Sequence, residues 1–327
     1  MTAEISTDLA RAAALLRAGQ LVAFATETVY GLGTDALNVT AVARVFEAKQ
    51  RPHFDPLIVH LAETRDVHNV VREFPPQAQE LAQAFWPGPL TLVLPKRPHV
   101  PDLVTSGLPN VAVRVPGHEQ ARELIRLAGC PVAAPSANLF GRVSPTTADH
   151  VAEQLKDRIE LILDGGPCRV GIESTVLDLS GSQPVLLRPG GVTLEELQQR
   201  IGPVYTQPAQ IAESGDQSTS SAAAPGMLPQ HYAPRTPVRL VCDWERLPRH
   251  ASAAALGFRH VHQPERFLAS EVLSPGGDLR EAAASFFAAL RRLDRVCAEV
   301  ILAERFPSEG LGVALNDRLS RAAASTT

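Results

Sequence analysis

Short runs of aliphatic and β-branched residues alternate with helical patterns through the first 200 residues, and this alternation restricts the chain to a mixed α and β fold. Eight runs are predicted as strands, at residues 21–25, 57–61, 91–94, 111–115, 132–134, 161–163, 175–179 and 185–187. Six segments have helical periodicity, at residues 9–17, 39–49, 76–85, 119–127, 147–155 and 194–200. Because strands outnumber helices and several follow one another directly, we expect an α/β or α+β domain around a twisted mixed sheet.

The pattern stops after residue 205, and a different composition follows. Residues 208–224 are rich in Ser, Ala, Gln and Thr without apolar periodicity, which is typical of a flexible linker. The segments PGM at 225–227 and HYAP at 231–234 come next and carry more distinctive side chains than a linker needs. We therefore predict a first domain at 1–205, a linker at 206–236 and a small C-terminal α/β domain at 237–327.

The C-terminal segment repeats the alternation on a smaller scale. We predict strands at 238–242, 258–262 and 299–303, a long helix between the last two, and a final helix from Leu311. Steps of four and three residues place an apolar stripe on one face of the long helix. The stripe comprises Leu279, Ala283, Phe286, Leu290, Leu293 and Cys297. A helix packed on a small sheet explains it better than a partner-binding zipper.

Composition excludes several classes of protein. Apolar residues make up 45% and charged residues 20%, the balance of a globular protein that buries a sizeable core. No run approaches the roughly 20 apolar residues of a membrane span, and the N-terminus does not resemble a secretory signal. Four scattered cysteines argue against a disulfide framework or a zinc knuckle, so we expect a cytoplasmic protein. The net charge of −4 argues against a general nucleic-acid binder.

Familiar nucleotide motifs do not explain the chain. It has no Walker A pattern and no G-x-S-x-G elbow. The segment GLGTDA at 31–36, with Asp55 further on, fits a relaxed dinucleotide fingerprint. Residues 27–30, however, separate the preceding strand from the first glycine, where that fingerprint needs a tight turn. We therefore do not predict a dinucleotide cofactor.

Polar side chains instead collect at the ends of the apolar runs. Arg114 ends one predicted strand, and a buried cation there needs a partner. Six segments share this character, namely TETVYGLG at 26–33, KQRP at 49–52, VAVR at 111–114, AAPSAN at 133–138 with SPT at 144–146, ESTV at 173–176 and LRPGG at 187–191. Ligands of open α/β sheets bind beyond the carboxyl ends of the strands, and arginine forks match phosphates and carboxylates. These segments predict a phosphate- or nucleotide-binding site.

In the same order, these segments resemble the YrdC-like domain of threonylcarbamoyl-AMP synthases. The matching stretches are TETVYGLGTDA, KQRPHFDPLIVH, WPGPLTLVL, VAVRVP, AAPSANLFGRVSPT, LDGG, ESTVLDL and LLRPGGV. The later stretches PGM, HYAPRTPV and EGLGVALNDRLSRAA resemble the two-domain form of the family. The resemblance implies a YrdC-like twisted mixed sheet with a large concave cavity, followed by a smaller Rossmann-like domain.

The resemblance also implies a two-step reaction. The amine of L-threonine takes up CO2 or bicarbonate, and the resulting carbamate attacks the α-phosphate of ATP with release of pyrophosphate. Lys49 and Arg51 are the expected catalytic residues, holding the phosphates together with Mg2+. The other expected ATP contacts are Asp55, Ser136, Asn138, Ser144, Arg188 and Tyr232. The expected threonine contacts are Thr28, His60, Arg114, Ala134 and Ser174.

Further expectations come from the same resemblance. The linker folds over the active site as a lid, and the product serves a downstream threonylcarbamoyl transferase that modifies adenosine in tRNA next to the anticodon. Weak RNA contact is implied as well, and no membrane is involved. The chain departs from the family at Asp55, where asparagine is usual, and at Gln230, where a basic residue is frequent.

Two alternatives stay open on the sequence. One is carbamoyl-adenylate chemistry as in hydrogenase maturation, although this chain has no C-x-x-C pair. The other is an RNA-binding module. An aromatic content of 5% and the acidic balance weaken it, because stacking and phosphate contacts need the opposite.

Overall fold

Two β-sheets organise the chain in this computed structural model, which describes residues 3–206, 231–241, 244 and 252–324. The first sheet is mixed and has eleven strands among the described residues. In chain order they are β1 (Glu4–Ser6), β2 (Val22–Phe24), β3 (Gly31–Asp35), β4 (Ile58–His60), β5 (Leu90–Pro95), β6 (Asn110–Arg114), β7 (Val132–Ala133), β8 (Leu161–Leu163), β9 (Thr175–Asp178), β10 (Val185–Arg188) and β11 (Tyr205–Thr206). Their order across the sheet is β1-β8-β2-β3-β7-β4-β6-β5-β9-β10-β11, which confirms the expected twisted mixed fold.

Helices pack against this sheet and begin where the sequence supplies caps. Asp8 and Asn38 each accept a hydrogen bond from the backbone N–H three residues on, at the starts of the first two helices. The helices are α1 (Leu9–Arg17), α2 (Val39–Lys49), α3 (Pro76–Phe85), α4 (Asp102–Thr105), α5 (Glu119–Ala128), α6 (Ala148–Leu155) and α7 (Leu194–Ile201). Helix α2 ends in a left-handed residue, Gln50, with φ of 53°. That turn directs the chain into the polar segment beginning at Arg51.

Strand β3 was not predicted, because its glycines suggested a loop. It lies between β2 and β7 and is antiparallel to both. A Cβ added at Gly33 would lie 2.6 Å from Cε1 of Phe24 and 2.9 Å from Cγ1 of Val132. Glycine is therefore required by the close packing of neighbouring side chains, not by a turn.

The second sheet is parallel and has four strands among the described residues, in the order β12-β15-β13-β14. Its strands are β12 (Val238–Val241), β13 (Ala253–Gly257), β14 (Ala269–Val272) and β15 (Val300–Glu304), and its helices are α8 (Leu279–Asp294) and α9 (Leu311–Ala323). This sheet with its helices confirms the smaller Rossmann-like domain. Part of the predicted linker, residues 207–230, lies outside the described residues.

Two predictions in this domain are wrong in detail. The strand predicted at 258–262 lies instead at Ala253–Gly257, where every residue is buried between β14 and β15. Alanines have low β propensity, but burial on both faces of a parallel sheet overrides it. The apolar stripe of α8 ends before Cys297, because the helix stops at Asp294 and Cys297 is exposed with φ of 54°.

The second domain packs closely on the first. Val29, Val143 and Ile172 of the first domain share one hydrophobic cluster with residues of α8 and α9. A Cβ at Gly171 would lie 2.3 Å from the carbonyl oxygen of Ala283, so α8 approaches this loop at backbone distance. The contact brings the C-terminal domain to the loops that carry the predicted site. Among the described residues, no helix is long and apolar enough to cross a membrane.

Candidate active site

A cavity of about 510 Å³, its open mouth included, lies beyond the strand ends of the first sheet. Most of the predicted site residues line it. They are Thr28, Arg51, His60, Arg114, Ala134, Ser136, Ser174, Arg188 and Tyr232. Residues 100 or more positions apart in the chain thus meet at one wall, as expected for the end of an α/β sheet.

Strand register explains part of this convergence. Strands β4 and β6 run parallel, and His60 pairs with Arg114 at their carboxyl ends. On the opposite wall the chain after β2 is fastened to the loop after β7. The N–H groups of Tyr30 and Leu32 donate to the carbonyl oxygens of Pro145 and Pro135 at 2.9 and 2.7 Å.

Arg114 is buried and has the partner that its position demands. Its Nη2 lies 2.6 Å from Oε1 of Glu27, and both side chains are 3% exposed. Nη1 donates to Oγ1 of Thr28 at 3.0 Å, and Nε donates to the carbonyl oxygen of Gly88 at 3.2 Å. The guanidinium is therefore fixed from several sides and faces the cavity in one orientation.

His60 lies beside Arg114 as an uncharged ring. Burial, with the nearby guanidinium of Arg114, lowers the pKa of His60 to about 3. Its Nδ1 lies 3.2 Å from the carbonyl oxygen of Ile58. This side of the cavity therefore combines one fixed cation with neutral hydrogen-bonding groups, a combination suited to a carboxylate that carries further polar groups.

Arg51 also lines the cavity and is held by Asp55. Nη2 lies 2.8 Å from Oδ2 of Asp55, and Nη2 and Nε donate to the carbonyl oxygens of Pro56 and Asp55 at 2.8 and 3.1 Å. Asp55 is fully buried and does not line the cavity. It therefore acts on the cavity through Arg51, and direct contact of Asp55 with ATP stays a prediction.

Lys49 also lies behind the cavity wall. Its Nζ donates to the carbonyl oxygens of Ser136 and Asn138, the latter at 2.6 Å. Burial, followed by the charge of Arg51, lowers the pKa of Lys49 well below its ordinary value. In this arrangement the ammonium shapes the loop that carries Ser136, so direct contact of Lys49 with phosphates stays a prediction.

Asn138 and Ser144 are likewise withdrawn from the cavity. Nδ2 of Asn138 donates to the carbonyl oxygens of Leu139 and Arg142 at 2.7 and 3.0 Å. Oγ of Ser144 donates to Oε1 of Glu173 at 2.6 Å. Both side chains are buried and hold the loop between β7 and α6 in one conformation.

Arg188 completes the basic lining. Its Nη2 donates to the carbonyl oxygen and to Oγ of Ser174 at 2.9 and 3.2 Å, and Ser174 Oγ lies 2.8 Å from Oγ1 of Thr91. Burial lowers the pKa of Arg188, although an arginine side chain stays charged in proteins. Three arginines, from three different parts of the chain, thus face one cavity.

The end of the linker contributes to the cavity wall, and its role as a lid stays a prediction. His231 and Tyr232 line it, and Tyr232 is fully buried with φ of 66°. The Tyr232 ring lies 4.1 Å from the His231 ring and 5.6 Å from that of Phe287 in α8. Burial and the surrounding cations lower the pKa of His231 well below 6.5, so this ring is uncharged.

Several lining residues were not predicted as site residues. They are Thr26, Val29, Gly31, Ile58, Pro135, Glu173 and His231. Glu173 and His231 belong to the segments ESTV and HYAP that the sequence singled out, and each directly precedes a predicted site residue. Adjacency within those segments was the available signal. Val29, which directly follows Thr28 in TETVYGLG, had the same signal, whereas Ile58 lies within a predicted core strand and has no distinguishing feature.

The cavity contains no group of carboxylates suited to an all-protein metal site. Within the described parts of the chain, no cluster of three His, Cys, Asp or Glu side chains forms. Asp55, Glu27 and Glu173 are each engaged by an arginine. The charge of the lining therefore favours an anionic ligand.

Comparisons with known proteins cover nearly the whole chain. Residues 14–190 match the family model Sua5_yciO_yrdC, described as telomere recombination, and residues 192–324 match one described as the C-terminal domain of threonylcarbamoyl-AMP synthase. A threonylcarbamoyl-AMP synthase of Pyrococcus abyssi is 47% identical over 318 residues, which are 95% of this chain and 92% of the relative. One from Bacillus subtilis is 43% identical over 337 residues, 99% and 96% of the two chains.

A solved structure agrees with the sequence relatives. The crystal structure of P. abyssi Sua5 complexed with L-threonine superposes with a TM-score of 0.87 at 44% identity, covering 96% of this chain and 94% of that one. Both domains are included in the superposition.

Proposed function

This chain belongs to the threonylcarbamoyl-AMP synthase family, and from that premise we propose that it forms threonylcarbamoyl-AMP and pyrophosphate from L-threonine, bicarbonate or CO2, and ATP. Full-length relatives that carry this name, and a solved relative with L-threonine bound, support the proposal. The single observation that carries it is the cavity into which Arg51, Arg114 and Arg188 converge.

The chemistry has two steps. The threonine nitrogen attacks the carbon of CO2, loses a proton and becomes a carbamate. A carbamate oxygen then attacks the α-phosphorus of ATP, and the bond from that phosphorus to the bridging oxygen breaks, so pyrophosphate leaves. Positioning and charge stabilisation accomplish most of this, because the reactants supply the nucleophile and the leaving group.

Threonine is assigned to the side of the cavity near Arg114. The guanidinium, fixed by Glu27 and Thr28, matches the threonine carboxylate. Uncharged His60 adds no second cation that would compete for it, and Ser174 and the backbone of Ala134 complete the subsite. The positive charge of Arg114 also disfavours protonation of the amine, which keeps the amine free to react as a nucleophile.

ATP is assigned to the side near Arg51 and Arg188. These two guanidiniums would neutralise charge that develops on the phosphates during displacement. Ser136 and Tyr232 line the same region. Lys49, Asn138 and Ser144 act from behind by holding the loop after β7, and Asp55 acts by orienting Arg51.

Mg2+ is assigned to the nucleotide. Divalent magnesium keeps several waters and is often bound through substrate phosphates with one or two carboxylates. Here the nearby carboxylates are each engaged by an arginine, so the side chains do not form a metal cage of their own. We expect Mg2+ to enter with ATP and to leave with pyrophosphate.

The product is an activated carbamate that needs an acceptor. In the proposed role it passes to a transferase that modifies tRNA next to the anticodon, and the protein works in the cytoplasm. The RNA-module and hydrogenase-maturation alternatives are not favoured, since relatives of both domains carry the synthase name.

Pyrophosphate release by the purified chain tests the proposal. We expect release to require ATP, threonine and bicarbonate together, measured by a coupled phosphate assay with each reactant omitted in turn. Pyrophosphate release that does not require threonine would indicate a different carbamoyl chemistry. Binding of ATP without any release would favour the RNA-module alternative.

A further inference from the structure

Arg318 is a fully buried cation that belongs to the second domain. It lies on α9 and is 0% exposed. Burying a charge is costly unless it is paired and hydrogen-bonded. Its partners include groups of the first domain, so α9 directs this charge out of its own domain towards the cavity.

Three segments of the cavity wall meet at Arg318. Nε donates to Oε2 of Glu173 at 3.0 Å, and Nη1 donates to the carbonyl oxygen of Pro189 at 2.5 Å. The guanidinium carbon lies 5.5 Å from the centroid of the Tyr232 ring, within cation–π range. Asp317 adds a second acceptor at 3.0 Å from Nη1.

Glu173 is the acidic group that makes this contact important. It lines the cavity, and Ser144 donates to its other carboxylate oxygen. A free carboxylate here would repel a polyanionic ligand in a region that water screens poorly. Arg318 turns Glu173 into half of an ion pair and thereby removes that repulsion.

We propose that Arg318 is a positioning residue of the synthase site, supplied by the C-terminal domain, which neutralises Glu173 and fixes Tyr232 so that the cavity accepts the ATP phosphates. The inference rests on the proposed function for the identity of the anion. It assigns the second domain a part in nucleotide binding that goes beyond covering the site.

Two variants of the full chain distinguish the effect of the Arg318 charge from the effect of its side-chain volume. Arg318→Met keeps most of the side-chain volume and leaves Glu173 charged. We expect the KM for ATP to rise about tenfold, equivalent to about 1.4 kcal/mol, with a much smaller change for threonine. Adding Glu173→Gln removes the uncompensated charge, and we expect the double variant to recover to within about threefold of the original KM.

A control cation is available directly after α8. Arg295 forms an ion pair with Glu153 across the same domain interface, and its side chain is 58% exposed. Arg295→Met removes this exposed pair without changing the cavity charge. We expect its KM for ATP and its Tm to stay near those of the unaltered protein.

The results decide between positioning and simple docking. An unchanged KM for ATP in Arg318→Met would overturn the proposal. Equal losses for ATP and threonine, with a lowered Tm that Glu173→Gln does not reverse, would overturn it too. Calorimetric titration with Mg-ATP alone compares the nucleotide affinity of the unaltered chain with that of the variants, and it needs no turnover. If the unaltered chain fails to catalyse the synthase reaction, the titration still tests this inference separately.

Discussion

Paired charges dominate the site at the level of single residues. Arg51, Arg114 and Arg318 each face a carboxylate, and all three guanidiniums are buried. Such pairs cost desolvation and add little net stability, but breaking one is strongly destabilising. They therefore fix the orientation of the arginines and set how much positive charge the cavity presents.

Asp55 offers a test of that balance, because the resemblance to the synthase family implies an asparagine there. In Asp55→Asn the amide still accepts a hydrogen bond from Arg51, but Arg51 is no longer neutralised. We expect the KM for ATP to fall about threefold, while the free energy of unfolding falls by about 1–3 kcal/mol through loss of the charged bond. Steady-state kinetics and urea unfolding measure both effects.

The partly exposed acid Glu63 provides the control for this prediction. It pairs with Arg65 and Arg126 outside the cavity. Glu63→Gln should change neither the KM nor the unfolding midpoint appreciably. A higher KM in Asp55→Asn would show that orientation of Arg51, and not cavity charge, is the main contribution of Asp55.

His60 connects the site to stability at acidic pH. Its pKa is lowered from 6.5 to about 3 in the folded chain, so between these values the unfolded chain binds a proton that the folded chain excludes. The free energy of unfolding should therefore decrease as pH falls below 6.5. We expect His60→Gln to reduce this slope by up to about 1.4 kcal/mol per pH unit, measured by urea unfolding between pH 4 and 7. An identical slope in the variant would contradict the buried, uncharged state of His60.

At the level of elements, periodic segments were predictable and packing-determined ones were not. Helices α1, α2 and α3 lie at their predicted bounds, since caps and apolar periodicity are local signals. Strand β3 was missed because its glycines are explained by the close approach of Phe24 and Val132, and this contact exists only in the assembled sheet. Strand β13 was not predicted because its alanines form a strand only when they are completely buried.

The site residues divide in the same way, into those with a local signal in the sequence and those defined by packing. Arg114 was predicted as a site residue because it ends a predicted strand, and His60 was predicted from the resemblance to the synthase family. Glu173 and Arg318 were not, since their roles arise from a contact between positions 145 residues apart. Side chains that act behind the wall, such as Lys49, are likewise indistinguishable in sequence from those that face a ligand.

Tyr232 provides a prediction for the linker segment. Its ring packs against Phe287 and Arg318, whereas its hydroxyl oxygen has no hydrogen-bond partner among the described residues. We expect Tyr232→Phe to keep product yield within about threefold and Tyr232→Ala to lower it at least about tenfold, because only the latter removes the ring that closes the cavity. Yield is the ratio of threonylcarbamoyl-AMP to pyrophosphate, measured chromatographically. A normal ratio in the alanine variant would argue against closure by this ring.

For the whole molecule, the two domains form one working unit. Arg318 reaches Glu173, Arg291 donates to the carbonyl oxygen of Val143 at 2.5 Å, and α8 lies against Gly171. The last residue of the predicted linker also contacts this domain, since the N–H of Thr236 donates to Oδ1 of Asp294 at 2.7 Å. The end of the linker therefore contributes to the cavity wall, and residues of the second domain support that wall from behind.

Cutting the linker near Ser214 tests this dependence, because it leaves both domains present but no longer covalently joined. The connecting chain gives the second domain a high effective concentration at the first. After cleavage at an inserted protease site, we expect the specific activity to fall on dilution, at least about tenfold once the fragments separate. The uncut protein with the same insertion is the control and should be insensitive to dilution. If the fragment ending near Ser214 were alone as active as the whole chain, neither the lid nor Arg318 would be needed for the reaction.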